Sequence, residues 1–332
     1  MRKILVTGAS GFIGSNLVET LLKEGHTIIG MDNDPDKQYL LNDVIPKKAR
    51  KSEIGLRIEQ IDYVSKDFTM IWDDINNMRQ YYYAMDDVDE IYHLAASADI
   101  RKSFSDPTMD LKNNVQGTNE VLELMRLKDI ERLIFSSSSS IYGVTKITPT
   151  PEDVPDIRPI SMYGASKLAN EAFINAYSDL YGIKAWMFRF ANVVGRHMHR
   201  GVIHDLYEKL KVNQKELEIL GDGNQEKSYF DVSDCIAGLM ELPKKDKNKS
   251  VEIYNLGNIK TIRVIELAQI LCHELDLQPK FKFTGGNKGW PGDTPYTILS
   301  INKALCQGWK PRYSCEQSII RTVEYLRERE KR

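Results

Sequence analysis

The chain has 332 residues, 42% of them hydrophobic, enough for a well-buried core in one large α/β domain or two smaller ones. Its 45 lysines and arginines nearly balance 47 acidic residues, so no single-sign field marks a nucleic-acid or anionic-membrane partner. No run approaches the roughly 18 apolar residues of a membrane span, and the apolar run after "MRK" stops at Thr7 and Gly8, too short for a signal peptide, so a cytoplasmic protein is expected.

In chain order, "KILVTG" reads as a β-branched strand that ends in a glycine loop. A helix follows, with Ile13, Leu17, Leu21 and Leu22 at helical spacing and Gly25 where a C-terminal cap belongs. "HTIIGMD" is the next strand, and strand, helix, strand within about 30 residues requires a parallel crossover. The alternation continues with a strand at 56–62, a helical stretch at 69–85, a strand at 89–96, a long helix at 107–128 and the strand "IERLIFSSS". Alternation of this kind predicts a doubly wound sheet. After residue 190 the pattern loosens: "ELEILGDG" and "PKFKFTGG" alternate with helices near 201–213, 261–276 and 314–329. The expected architecture is α/β, a Rossmann-type doubly wound parallel sheet over 1–188, to which 231–257 returns. A smaller mixed α/β substrate domain over 189–230 and 258–332 completes it.

The first loop, "TGASGFIGS", places Gly8, Gly11 and Gly14 between strand and helix. Glycine is required where the backbone turns with positive φ or approaches a pyrophosphate, and the helix start offers unpaired N–H groups to the phosphates. Asp32 ends the second strand, where its carboxylate can accept from both ribose hydroxyls. It would repel a 2′-phosphate, and no arginine follows in "MDNDPDKQ", so NAD is expected over NADP. Asp62, at the end of "IEQID", reads either as an adenine contact or as a strand-ending aspartate.

"MYGASKLANE" sets Tyr163 and Lys167 four apart, on one face of a helix. An ammonium beside a phenol stabilises the phenolate and turns tyrosine into a base suited to an alcohol. The four cysteines, Cys235, Cys272, Cys306 and Cys315, form no CxxC pair. His197 and His199 have no acidic or cysteine neighbour in sequence, so no metal is expected.

With these motifs in order, followed by "HLAA", "NNVQGT", "SSSSSIYG", "RFANVVG", "GDGNQEKSYFDVSD" and a late "GDTP", the chain resembles the extended short-chain dehydrogenases/reductases. Within them it resembles the UDP-glucose 4-epimerase-like nucleotide-sugar epimerases, over nearly its whole length. The resemblance implies that Gly8, Gly11, Phe12, Ile13 and Gly14 hold the pyrophosphate of NAD, Asp32 and Asn33 the ribose, and Asp62 and Tyr63 the adenine edge. Leu94, Ala95 and Ala96 would line the cofactor site, with Asn113 close by and Ser136 closing the strand there. Lys167 would also hold the nicotinamide ribose. By register, Ser138 is the catalytic hydroxyl beside Tyr163, which identifies one working residue in the serine run. On the sugar-nucleotide side the resemblance implies Asn192, Asp205, Leu206, Lys227 and Tyr229.

Three positions depart from that pattern. Lys227 stands where many relatives have arginine, and Trp290 where they have another, with Lys288 placed to compensate. Thr297 replaces a tyrosine that closes the sugar pocket in some relatives and leaves room for a bulky substituent. The implied reaction is epimerisation of a nucleotide-diphosphate sugar at carbon 4, most simply a UDP-hexose, by a homodimer. The alternatives are a 4,6-dehydratase, a UDP-glucuronate decarboxylase and a non-catalytic NAD-binding regulator. A dehydratase needs an Asp-Glu pair where this chain has Ser139 and Ser140, and such a regulator often lacks the Tyr/Lys pair.

Overall fold

The structure, a computed structural model, describes residues 1–41, 50–51, 61–245, 249–290 and 292–330. By internal contacts the chain divides into two units. The first comprises 1–137, 165–188 and 246–253, the second 138–164, 189–245 and 254–330 of the described residues.

The first unit is built on strands β1 (Lys3–Thr7), β2 (Thr27–Asp32), β3 (Arg50–Lys51), β4 (Ile61–Ser65), β5 (Phe68–Trp72), β6 (Glu90–His93), β7 (Arg132–Ser138) and β8 (Lys184–Phe190), with Val251–Leu256 at one edge. The sheet order is Val251–Leu256, β8, β7, β6, β1, β2, β5, β4, β3. β1 pairs in parallel with β2 on one side and β6 on the other, and β2 with β5 and β6 with β7 continue the parallel arrangement. Chain order therefore reverses at β1, and the loops leaving the carboxyl ends of β1 and β6 diverge there. Such switch points are where open α/β sheets bind ligands. Covered strands must be apolar on both faces, and Leu5, Ile29, Ile91, Leu133, Phe135 and Met187 are buried together with Leu122 and Met125 of the helix Gly117–Lys128.

The helix Phe12–Lys23 ends as its sequence requires. Gly25 takes φ +82°, its N–H donates to Leu22 O at 3.0 Å, and His26 N donates to Leu21 O at 3.1 Å. One expectation is corrected. The helical stretch at 69–85 is two elements, β5 and a 3₁₀ helix, Ile75–Met85, whose start is capped by Asp74 accepting from Asn76 N at 2.9 Å. A short apolar run such as "FTMIW" has no periodicity that separates strand from helix, and parallel pairing with β2 decides it. The long helix expected at 107–128 is continuous but carries a π segment at Leu111–Gln116.

The second unit is mixed α/β. Glu216–Ile219 pairs in parallel with Lys280–Phe283, Glu226–Lys227 lies between Ile262–Arg263 and Tyr296–Thr297, and Tyr229–Asp231 pairs with Asn192–Val194. Helices Val202–Val212, Val232–Lys245, Val264–Glu274 and Cys315–Glu330 accompany them. Asp234, buried, accepts from Arg312 N at 2.9 Å and from Arg312 Nε at 2.7 Å, while its carbonyl takes the Trp309 indole N–H at 3.1 Å. Among the described residues no helix is long and apolar enough to cross a membrane.

Leu133 is fully buried near the start of β7. Leu133→Ala is expected to destabilise the first unit by about 2–5 kcal/mol, from lost transfer energy and the cavity left behind, seen as a lowered urea midpoint in equilibrium unfolding.

Candidate active site

The glycine loop fits a pyrophosphate because it has no room for side chains. Gly8 takes φ +71°, and a Cβ there would lie 2.8 Å from Ala95 N. A Cβ on Gly14 would lie 1.9 Å from Gly8 O. The loop is held from below by Gly8 N and Ala9 N, both donating to Met31 O. The helix that follows has Gly11 at its N-cap, with no side-chain cap bond and no acidic residue in its first turn, so its leading N–H groups face the loop uncompensated. Asp32 accepts from Ser10 N at 3.0 Å and Asp34 N at 3.2 Å. Burial pushes its carboxyl up, against the bonds from Ser10 and the charge of Lys37. One carboxylate thus braces the loop from the end of β2, beside the exposed Asn33. Asp62 and Tyr63 lie in β4, and their side chains fall outside the described residues.

Leu94, Ala95 and Ala96 follow β6 half-buried. Leu94 N donates to Thr7 O, and Ala95 N to Thr7 Oγ1, both at 3.2 Å. The Thr7 hydroxyl also meets His93 Nδ1 at 2.7 Å, and His93 Nε2 meets Thr118 Oγ1 at 2.9 Å. Burial holds His93 neutral, at about 3. Of the two adjacent asparagines, Asn113 is half-buried and Asn114 fully buried. The Asn114 amide reaches Ser97 O, Asp110 Oδ1 and Ser166 Oγ at 2.9–3.0 Å. The extra residue of the π turn puts Asn114 on the inner face, which no 3.6-residue reading of "NNVQGT" reveals.

The serine run is a strand that ends in a 3₁₀ turn. Ser136 Oγ donates to His93 O at 3.2 Å, and Ser137 Oγ donates to Glu171 Oε1 at 2.5 Å. Ser138 is half-exposed at the strand end and caps the turn Ser139–Ile141, accepting from Ser140 N at 3.1 Å. Tyr163 stands one residue into the helix Met162–Tyr181, half-buried. Gly164 follows because a Cβ there would lie 2.4 Å from Ser140 O, so the helix start packs directly on the serine turn. Lys167, one helical turn after Tyr163, is 1% exposed, and its Nζ donates to Ser136 O at 2.7 Å. Burial lowers its ammonium to about 7, opposed by Glu171 first and Asp110 second. The sequence reading assigns no role to Glu171, Asn114 or Ser137. Glu171 had a visible signal: it is the next helical turn of the Tyr163, Lys167 stripe.

In the second unit, backbone bonds bring the sugar-side candidates together. Asn192 N donates to Ser228 O at 3.2 Å and Asn192 Nδ2 to the same oxygen at 3.0 Å, while Ser228 N donates to Thr297 O at 3.1 Å. Parallel pairing sets Tyr229 opposite Asn192 and Lys227 opposite Thr297. Lys227 forms an ion pair with the buried Asp293 and lies 5.0 Å from the Trp290 ring centroid; Asp293 also accepts from Gly289 N at 3.0 Å. Thr297 Oγ1 meets Thr294 Oγ1 at 3.0 Å. Tyr229 is buried, which pushes its phenol well up. Lys288 is exposed, Asp205 half-buried, and Leu206 buried in the helix Val202–Val212.

The family model described as the NAD dependent epimerase/dehydratase family matches residues 4–257. An uncharacterised protein of Methanocaldococcus jannaschii is 33% identical over 330 residues, covering 98% of this chain and 97% of that protein. The UDP-glucuronate 4-epimerase of Thermodesulfobacterium geofontis is 30% identical over 328 residues, covering 98% of this chain and 96% of its own. Among solved structures, the UDP-glucuronic acid 4-epimerase of Bacillus cereus in complex with UDP-glucuronic acid and NAD is similar with TM-score 0.85 at 26% identity, over 98% of this chain and 99% of that one. The matched span takes in the glycine loop, the serine strand and the helix of Tyr163 and Lys167, and this chain belongs to the NAD dependent epimerase/dehydratase family.

Proposed function

We propose that the protein interconverts a UDP-hexose and its 4-epimer, UDP-glucose and UDP-galactose or a relative altered at carbon 2 or carbon 6, through a transient 4-keto sugar. The observation that carries this reading is the buried Lys167, bonded to Ser136 O and one helical turn from Tyr163. The glycine loop and Asp32 fit NAD, which when bound accepts the hydride of carbon 4 and returns it.

Tyr163, as phenolate, takes the proton of the 4-hydroxyl when the sugar is oxidised and gives it back when the ketone is reduced. The Lys167 ammonium lowers the cost of that phenolate. Ser138 presents a hydroxyl to the 4-oxygen at the strand end. The oxidised sugar must turn so that its other face receives the hydride, which requires the pocket to hold the diphosphate and leave the ring free. Asn192 and Lys227 are assigned to the diphosphate end, with Trp290 beside Lys227 in space and Lys288 two residues before Trp290. Asp205, Leu206 and Tyr229 are assigned to the nucleoside end and Thr297 to the sugar. Ser139 and Ser140 offer no carboxylic acid to expel water from carbon 6, which favours epimerisation over dehydration. Leu111, Phe173 and Leu180, exposed on the two long helices, support a homodimer, which we read as cytoplasmic.

Incubation with UDP-glucose, UDP-galactose, UDP-glucuronate and their N-acetylated counterparts is expected to give 4-epimers only. A 4-keto-6-deoxy sugar would indicate a dehydratase and a pentose a decarboxylase. Tyr163→Phe is expected to lose at least about a hundredfold in kcat, the usual worth of a positioned base, while retaining bound NAD. Wild-type turnover by that variant would remove the base from the mechanism.

A further inference from the structure

Tyr163, Lys167 and Glu171 follow one another at intervals of four along the helix Met162–Tyr181, so they form one stripe. The last two are nine-tenths or more buried, at 1% and 3% exposure. They engage consecutive residues of β7: Lys167 Nζ donates to Ser136 O at 2.7 Å, and Ser137 Oγ donates to Glu171 Oε1 at 2.5 Å. The next residue of that strand is Ser138. A buried carboxylate is costly unless an opposite charge offsets it, and Lys167 supplies that charge one turn away.

We propose that Glu171 is a positioning residue for the reaction. Its carboxylate keeps Lys167 in the ammonium form beside Tyr163 and, through Ser137, fixes the strand end that presents Ser138. The catalytic part of this inference rests on the epimerase reading above.

The other groups facing Lys167 leave the main part to Glu171. Asp110, from the helix Pro107–Asp110, contributes second to Glu171. His93, on β6, is held neutral by burial, and the Phe135 ring lies 4.8 Å from Nζ. Ser137 then serves two sides at once, since its hydroxyl fills a Glu171 lone pair while its backbone continues into Ser138.

The test uses the NAD-bound protein. Glu171→Gln keeps an acceptor for Ser137 and removes the charge, whereas Ser137→Ala keeps the charge and removes the tie. The Lys167 ammonium is titrated by NMR of labelled lysine, its signal assigned by its loss in Lys167→Arg. Its midpoint is expected to fall by about one pH unit or more in Glu171→Gln. An unchanged midpoint overturns the proposal. In kcat/KM for 4-epimerisation, the acid limb of the pH profile moves to higher pH in Glu171→Gln, because the phenolate has lost its cation. In Ser137→Ala the rate falls at every pH with the limb in place. A uniform loss in Glu171→Gln, with no movement of the limb, also overturns it. Should Glu171→Gln fail to fold, Glu171→Met, apolar and of similar length, is read by the same titration. A wild-type protein that epimerises no UDP-sugar defeats the epimerase reading alone, and the titration still decides the charge of Lys167.

Discussion

The ammonium of Lys167, sealed inside the fold, is the constraint around which the first unit is arranged. A cation at 1% exposure has lost nearly all contact with water, and burial alone draws its proton off at neutral pH. The structure offsets that with the Ser136 carbonyl at 2.7 Å and two buried carboxylates, Glu171 and Asp110. The outcome is a buried ammonium, its pKa lowered by burial and supported by two carboxylates, one helical turn from the Tyr163 hydroxyl. Burial and reactivity are here the same arrangement seen from two sides.

That arrangement needs fixed backbone on both sides of it. β7 supplies Ser136 and Ser137 from inside the sheet, and the helix Met162–Tyr181 lies close to the serine turn because Gly164 has no Cβ to keep it off Ser140. The same device works in the first unit, where Gly8 and Gly14 let the loop after β1 fold against Ala95 and onto itself. In both places absent atoms set the local geometry, and within the first unit the sheet order reverses at β1, the strand the glycine loop leaves.

Much of this was legible from the chain. The glycine spacing, Asp32 at a strand end and the Tyr163, Lys167 pair are local patterns, and each carries its own physical reason. What escaped reading depends on distant partners or on departures from regular helix. "FTMIW" became a strand because β2 pairs with it, and Asn114 is buried within the π turn at Leu111–Gln116. The ion pair of Lys227 with Asp293 joins residues 66 positions apart, and no spacing rule announces it. Glu171 was visible on the catalytic stripe, but its importance appears only once Ser137 is seen against it.

The central claim is that carbon 4 gives up a hydride and takes the same one back inside a closed site. The direct measurement is the fate of deuterium placed at carbon 4 of UDP-galactose during turnover in ordinary water, read by mass spectrometry and NMR of the product. The account predicts UDP-glucose that keeps the deuterium at carbon 4, and, in the reverse design, no uptake of deuterium there from D₂O. Loss of the label to solvent would contradict it, because the carbon-bound hydrogen would then have left as a proton.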